Sequence, residues 1–337
     1  MLNYFKQRLR KECSRNNSGS LLCHNKITAL KDNLYFVENI PLDGDAPKQF
    51  IRIYQYIQRG NITRRNPKTW TPYIAKTAEK WYPHESVIEF MINRIGQELG
   101  LDMNDVCLLK INGQIRFLSK YFLNKNDMLI HGAEICGEYL DDMDLAKQIA
   151  NEKNTSRELF TFGFIKQAIE AKFGNESGPL LLKLIEMITF DALVGNNDRH
   201  FYNWGVITTK KKTMMAPRFA PIYDSARGLL WNLSDINVIN QYNSLNNGGK
   251  RISRYIDDAC PRISIDGNSE VNHFGLIKYL KNYSSEYNVV INEIASMRNE
   301  EKVLELLNKE FYIFFIKERC NLITHIVQER FKKVREV

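Results

Sequence analysis

Residues 180–194 read Leu-Leu-Leu-Lys-Leu-Ile-Glu-Met-Ile-Thr-Phe-Asp-Ala-Leu-Val, apolar almost all round at helical spacing. A helix of that kind has no face to offer water, so the chain has to fold around it. Gly178-Pro179 opens it, with proline in the first turn, where its missing N–H costs nothing. Straight after it come Asn196-Asn197-Asp198-Arg199-His200-Phe201-Tyr202-Asn203-Trp204-Gly205, a polar loop returning to a short apolar strand expected over 204–207. A rigid buried helix carrying a polar loop is the support that a site requiring sub-ångström placement needs.

Beyond this strand a basic turn, Lys210-Lys211-Lys212, separates two β-like runs, the second leading to Ala220-Pro221-Ile222-Tyr223-Asp224. A hairpin there brings Asp224 back beside the loop. Three groups should then converge: the carboxylates of Asp198 and Asp224 and the amide oxygen of Asn203. Phosphoryl transfer from a nucleotide uses these residue types, one carboxylate to orient the attacking hydroxyl and accept its proton, the second carboxylate and the amide to hold magnesium. Magnesium needs few protein oxygens, since it keeps its waters. Asp198 and Asn203 are five residues apart, the separation of base and amide in a kinase catalytic loop. Asn and Asp in loops mostly cap helices and shape turns, so the order of the whole set along the chain has to carry the reading.

At 337 residues the chain is long for one core, and two lobes are expected, 1–123 rich in β-strands and 124–337 mainly helical. The first lobe is read from short strands at 34–37, 49–58 (strand or helix) and 71–76. Its clearest signal is Asn112-Gly113 between the apolar runs 106–111 and 114–119, a two-residue hairpin turn. The outgoing strand is expected to run on through 121–123, where the lobes connect. Arg59-Gly60-Asn61-Ile62-Thr63-Arg64-Arg65 could cover phosphates through backbone N–H groups or be an ordinary hairpin loop. Lys76 closes Tyr73-Ile74-Ala75 as a strand lysine that pairs phosphates would. Glu89 lies thirteen residues later in a helix expected over 84–99, ended by Gly100. Such a lysine and glutamate form the ion pair that positions a nucleotide.

Past residue 141 the pattern turns helical, with one helix expected over 157–173 and one or two over 300–331. Residues 225–262 read as a polar, Asn-rich connection whose Arg251 and Arg254 could meet an acidic partner. Six scattered cysteines without C-x-x-C spacing argue against a zinc site or a disulfide scaffold. No apolar stretch reaches the ~18 residues of a membrane span, and residues 1–10 lack the apolar core of a secretory signal. A cytoplasmic protein making no membrane contact is expected, with later translocation as an effector left open. The net charge of +8 suits an anionic partner, a nucleotide or nucleic acid.

The assembled residues resemble the HipA-like serine/threonine kinases of bacteria, especially the short CtkA-type members. The likeness rests on Ile74-Ala75-Lys76, Glu89 before Leu99-Gly100-Leu101, 193–205 around Asn196-Asn197-Asp198-Arg199-His200-x-x-Asn203, and 220–224. It implies an α+β, two-lobed protein-kinase-like fold and an ATP- and magnesium-dependent serine/threonine protein kinase. In it Asp198 would be the catalytic base, Lys76 would bind ATP phosphates and pair with Glu89, and Asn203 and Asp224 would ligate magnesium. His200 would support the catalytic loop, and Thr63 would be the site of any autophosphorylation in the phosphate loop. The partners implied are ATP, a protein with a Ser or Thr acceptor, and an antitoxin or other regulatory protein, with no direct contact to nucleic acid. The rival readings are a small-molecule or lipid phosphotransferase of the same fold and a non-catalytic basic binding partner in a regulatory or nucleic-acid complex.

Overall fold

The computed structural model describes residues 8–42, 47–55, 62–210 and 216–337. Its first lobe contains β1 (Asn16–Asn17), β2 (Tyr35–Glu38), β3 (Lys48–Ile53), β4 (Thr71–Thr77), β5 (Trp81–Tyr82), α1 (His84–Glu98), β6 (Val106–Ile111) and β7 (Gln114–Lys120). Five strands form one antiparallel sheet in the order β2-β3-β4-β7-β6. The β6–β7 hairpin turns at Asn112 and Gly113, both at positive φ (48° and 78°), the conformation that Asn-Gly tolerates. Side chains alternate along β4, so Tyr73, Ala75 and Thr77 are buried while Lys76 belongs to the other face. Tyr73 and Ala75 join Tyr35, Val37, Ile51, Ile53, Leu118 and Leu9 in a core of their own. α1 packs on β6 and β7, with Val87, Ile88, Met91 and Ile92 wholly buried.

The second lobe opens with β8 (Asp127–His131) and α2 (Gly132–Leu140), then α3 (Met143–Asn151), α4 (Lys153–Leu159), α5 (Phe162–Phe173) and α6 (Ser177–Val194). β9 (Gly205–Thr209) and β10 (Arg218–Phe219) follow, then α7 (Asp235–Asn246), α8 (Arg251–Asp257), α9 (His273–Tyr283), α10 (Ser285–Ile294), α11 (Met297–Leu306) and α12 (Lys317–Glu336). α6 is the buried centre, packed against α5, α9, α10 and α12. β9 lies between β8 and β10 in a small antiparallel sheet, with Arg218 opposite Ile207. The turn after α1 is stitched to the segment that leads to Asp224: Asn104 N donates to Ile222 O at 3.0 Å and Ile222 N to Asp102 O at 2.7 Å.

Several expectations need correction. β7 ends at Lys120, and the chain makes a further strand and a helix, β8 and α2, before the region where helices were expected to begin. The single helix over 157–173 is two, because Phe160 leaves helical geometry (ψ 61°) and Thr161 caps α5 by accepting from Phe164 N. Residues 225–262 hold two helices. Ser234 caps α7, where burial of Val238 opposes the poor helix propensity of asparagine, and α8 buries Ile252 and Ile256. β3 stops at Ile53, and both residues 59–61 of the phosphate-loop reading and Lys211-Lys212 of the basic turn lie outside the described residues. Thr63 is exposed, its carbonyl accepting from Trp70 Nε1 at 2.9 Å. Among the described residues no helix is long and apolar enough to cross a membrane, and all six cysteines are free.

Candidate active site

The polar loop is fixed from beneath. α6 ends at Gly195 in the left-handed region (φ 69°), and Arg330 of α12 donates to Ala192 O at 2.6 Å and to Ile256 O at 2.8 Å. A Cβ on Gly195 would come within 3.2 Å of the Arg330 guanidinium carbon, so this corner is packed as well as turned. Asp191, in the last turn of α6, accepts from Arg199 Nε and Nη2, both at 2.9 Å, and from Asn196 Nδ2 at 2.9 Å. Arg199 is 2% exposed and also donates to the carbonyls of Asn203 and Tyr223 and to Ser225 Oγ. One buried guanidinium therefore joins the helix end, the polar loop and the segment around Asp224. Burial opposes its charge, but Asp191 more than offsets that and raises its pKa.

From the β-sheet side, Lys76 Nζ on β4 lies 2.9 Å from Glu89 Oε1 and 2.6 Å from Asp224 Oδ1. Burial lowers the Lys76 pKa, yet the charges of Asp224 and Glu89 together hold it above the ordinary lysine value. The two carboxylates shift in opposite directions. For Glu89, with its side chain 7% exposed, burial dominates and pushes the pKa up to about 7 against the pull of Lys76. For Asp224 burial also raises it, but Lys76, then His200 and Lys48, outweigh that and bring it down to about 2. The shorter ion pair and 38% exposure of the Asp224 side chain fit the difference. Asp224 adopts φ 56°, a left-handed conformation that Asp tolerates better than most residues and that occurs at functional sites. Gly228, just beyond, sits where a Cβ would meet Val194 O at 2.4 Å. The segment around Asp224 is thus wedged against the end of α6.

The loop itself is a tight turn: His200 N donates to Asp198 O and Asn203 N to His200 O, each at 2.8 Å. Asn203 Nδ2 donates to Asp198 O at 3.2 Å, which leaves Oδ1 as the oxygen that Asn203 can offer a cation. Burial lowers the His200 pKa more than Asp198 and Asp224 raise it, and its Nδ1 accepts from Tyr202 N at 3.3 Å. That is a supporting place in the turn. The structure therefore brings Lys76, Glu89 and Asp224 into direct contact and sets Asp198, His200 and Asn203 on the neighbouring loop.

Among the described residues no three or more His, Cys, Asp or Glu form a metal cage. One carboxylate and one amide oxygen fit magnesium instead, which binds through one or two carboxylates and completes its shell with water and phosphate. Two arginines that the sequence did not single out also face this site. Arg262 Nη2 is 2.9 Å from Asp198 Oδ1 and Arg227 Nε 3.2 Å from Oδ2. Arg251 and Arg254, read earlier as candidates for an acidic partner, are exposed on α8. A separate cavity of roughly 240 Å³, lined by Asp102, Leu180, Lys183, Phe219 and Ile222, includes none of the site residues.

The model of one protein family, described as the HipA-like C-terminal domain, matches residues 40–300. Among solved structures, the chain is similar to the Helicobacter pylori proinflammatory kinase CtkA, with a TM-score of 0.63 and 16% identity over 79% of this chain and 89% of that one. It is also similar to the Shewanella oneidensis HipA solved with HipB and operator DNA, with a TM-score of 0.51 and 13% identity over 89% of this chain and 66% of that one. At these identities the likeness is one of fold, the α+β kinase-like arrangement of a β-sheet region and a helical region. No curated protein matches the chain.

Proposed function

This chain belongs to the family of HipA-like C-terminal domains, and from that membership we propose that it is an ATP- and magnesium-dependent serine/threonine protein kinase. The observation that carries the proposal is the Lys76 ammonium bridging Glu89 and Asp224, 2.9 and 2.6 Å away, beside the loop of Asp198 and Asn203. When bound, magnesium would neutralise charge on the nucleotide's phosphates. Asp224 and the Asn203 amide oxygen would hold it, and Lys76, released from Asp224 yet retained by Glu89, would pair with phosphate. Asp198 orients the acceptor hydroxyl and takes its proton as general base, a role worth about 10²–10⁴ in rate. Arg199 keeps the Asp198 loop and the Asp224 segment in register, and His200 shapes the turn. The serine/threonine preference and a regulatory partner come with the family, the partner by analogy with the HipA–HipB assembly.

Binding and chemistry separate by substitution. In Asp224→Asn, magnesium-dependent ATP binding measured by calorimetry is expected to be lost. In Asp198→Asn, binding is expected to persist while transfer to any protein falls by at least about 10²-fold. Transfer at the parent's rate in either variant would overturn the assignment.

A further inference from the structure

Both oxygens of Asp198 are held by arginines from outside its loop, Arg262 at 2.9 Å and Arg227 at 3.2 Å. Neither is a loose surface side chain. Arg227 lies over the Trp231 ring, 4.7 Å from its centroid. Arg262 stands on a segment pinned by the buried Arg157, whose guanidinium donates to Pro261 O, to Ser269 O at 2.7 Å and to Val271 O at 2.8 Å. Phe162 N donates to Ser264 O at 2.9 Å and fastens the same segment to α5. Against these cations stand Asp198 and exposed Glu152.

The clamp is not the state that satisfies Arg262 best. Its Nε and Nη1 are buried without a hydrogen-bond partner, and an orphaned buried donor is unfavourable. A guanidinium has a fork of donors that suits a carboxylate two at a time. Arg227 and Arg262 pair with Asp198, whereas Lys76 pairs with Asp224, so the two acids are held by different cations.

We infer that Arg227 and Arg262 form an anion subsite for the acceptor, selecting hydroxyls flanked by carboxylates in an acidic protein segment. The inference rests on the kinase reading of Asp198 and names its substrate class. The acceptor's carboxylate draws the arginines off Asp198 and frees that oxygen for the hydroxyl proton. The acceptor oxygen then bonds to the γ-phosphorus as the bond to the bridging oxygen breaks, and ADP leaves with that electron pair.

Two peptides identical except for Glu or Gln on either side of one Ser test the inference on the full chain. Phosphorylation is followed for this pair, and fluorescence anisotropy for the same pair with Ala in place of Ser. The Glu peptide is expected to bind about tenfold tighter and to be phosphorylated with about tenfold higher kcat/KM, the advantage shrinking with salt. In Arg262→Gln and Arg227→Gln the Glu-to-Gln ratio should fall towards one, a change that a merely structural role would not produce. If Arg262→Gln does not fold, Arg227→Gln carries the test. Equal binding of the two peptides, or a ratio that survives both substitutions, overturns the subsite. Preferential binding without phosphorylation of either peptide leaves the subsite standing and removes the kinase reading instead.

Discussion

Asp191→Asn isolates the element on which the site is built. The substitution keeps shape and an oxygen for Asn196, but places an amide N–H where Arg199 Nε now finds a carboxylate at 2.9 Å. Removing one partner of a buried ion pair typically costs about 3–5 kcal/mol, because the remaining charge is left uncompensated. Arg199 keeps the carbonyls of Asn203 and Tyr223 and the hydroxyl of Ser225, so the lower end, about 3 kcal/mol, is expected. At about 2 °C per kcal/mol for a chain of this size, the melting temperature should fall by about 6 °C. Activity should fall further than stability explains, since misplacing a catalytic loop by an ångström can cost about 10²-fold. Differential scanning calorimetry and a phosphoryl-transfer assay at a temperature where both proteins are folded measure the two effects. The double variant Asp191→Leu with Arg199→Met separates them, because two apolar groups leave no buried charge. It should regain stability relative to the single variant without regaining activity. A melting temperature within about 1 °C of the parent for Asp191→Asn, or a double variant destabilised by the sum of its singles, would refute the reasoning.

Two further outcomes follow from the surroundings of the site. His84 is fully buried, and burial followed by the Arg319 charge lowers its pKa to about 3; Asp235, 3.7 Å from Nε2, is already paired with Arg319 at 3.0 Å. Because the folded state binds this proton less readily than the unfolded one, the contribution is present above pH 6.5 and is lost as pH falls towards 3. Between pH 7 and 5, urea unfolding of the parent should lose about 2 kcal/mol more than that of His84→Gln, and parallel losses would contradict the account. Gly228→Ala would set a methyl group 2.4 Å from Val194 O, so the segment must move. Magnesium-dependent ATP affinity should weaken by about tenfold or more, and unchanged affinity in calorimetry would show that the wedge does not position Asp224.

What the sequence disclosed depended on whether the signal was local. Asn112-Gly113 dictates its own turn, and the all-apolar run over α6 dictates burial. Lys76 and Glu89 were legible because a strand and a helix each announced themselves, and the structure places the two side chains in contact. β8 and α2 went unread because Asp127–His131 is a short strand that becomes one only by pairing with β9. α7 was missed because an asparagine-rich helix is made by tertiary burial rather than by propensity, and α8 because its seven residues are too short to show a helical period. Arg227 and Arg262 carried no sequence signal at all. Arg199, written inside the loop motif, finds Asp191 eight residues back, whereas Arg262 meets Asp198 from a segment that buried Arg157 holds in place. A motif pointed to Asp198, but nothing in the chain order foretold the arginines that surround it.

Lys76, Glu89, Asp198, Asn203 and Asp224 are proposed to act together to move a phosphoryl group. The most direct measurement is incubation of the full chain with magnesium and γ-labelled ATP, with and without a cell lysate, followed by mass-spectrometric mapping of phosphosites. Label is expected on serine or threonine side chains of this protein or others, absent when magnesium is chelated and reduced at least about 10²-fold in Asp198→Asn. Label on small molecules or lipids alone, label at the parent's rate in Asp198→Asn, or no label from a folded protein that also fails to bind ATP would overturn the kinase reading.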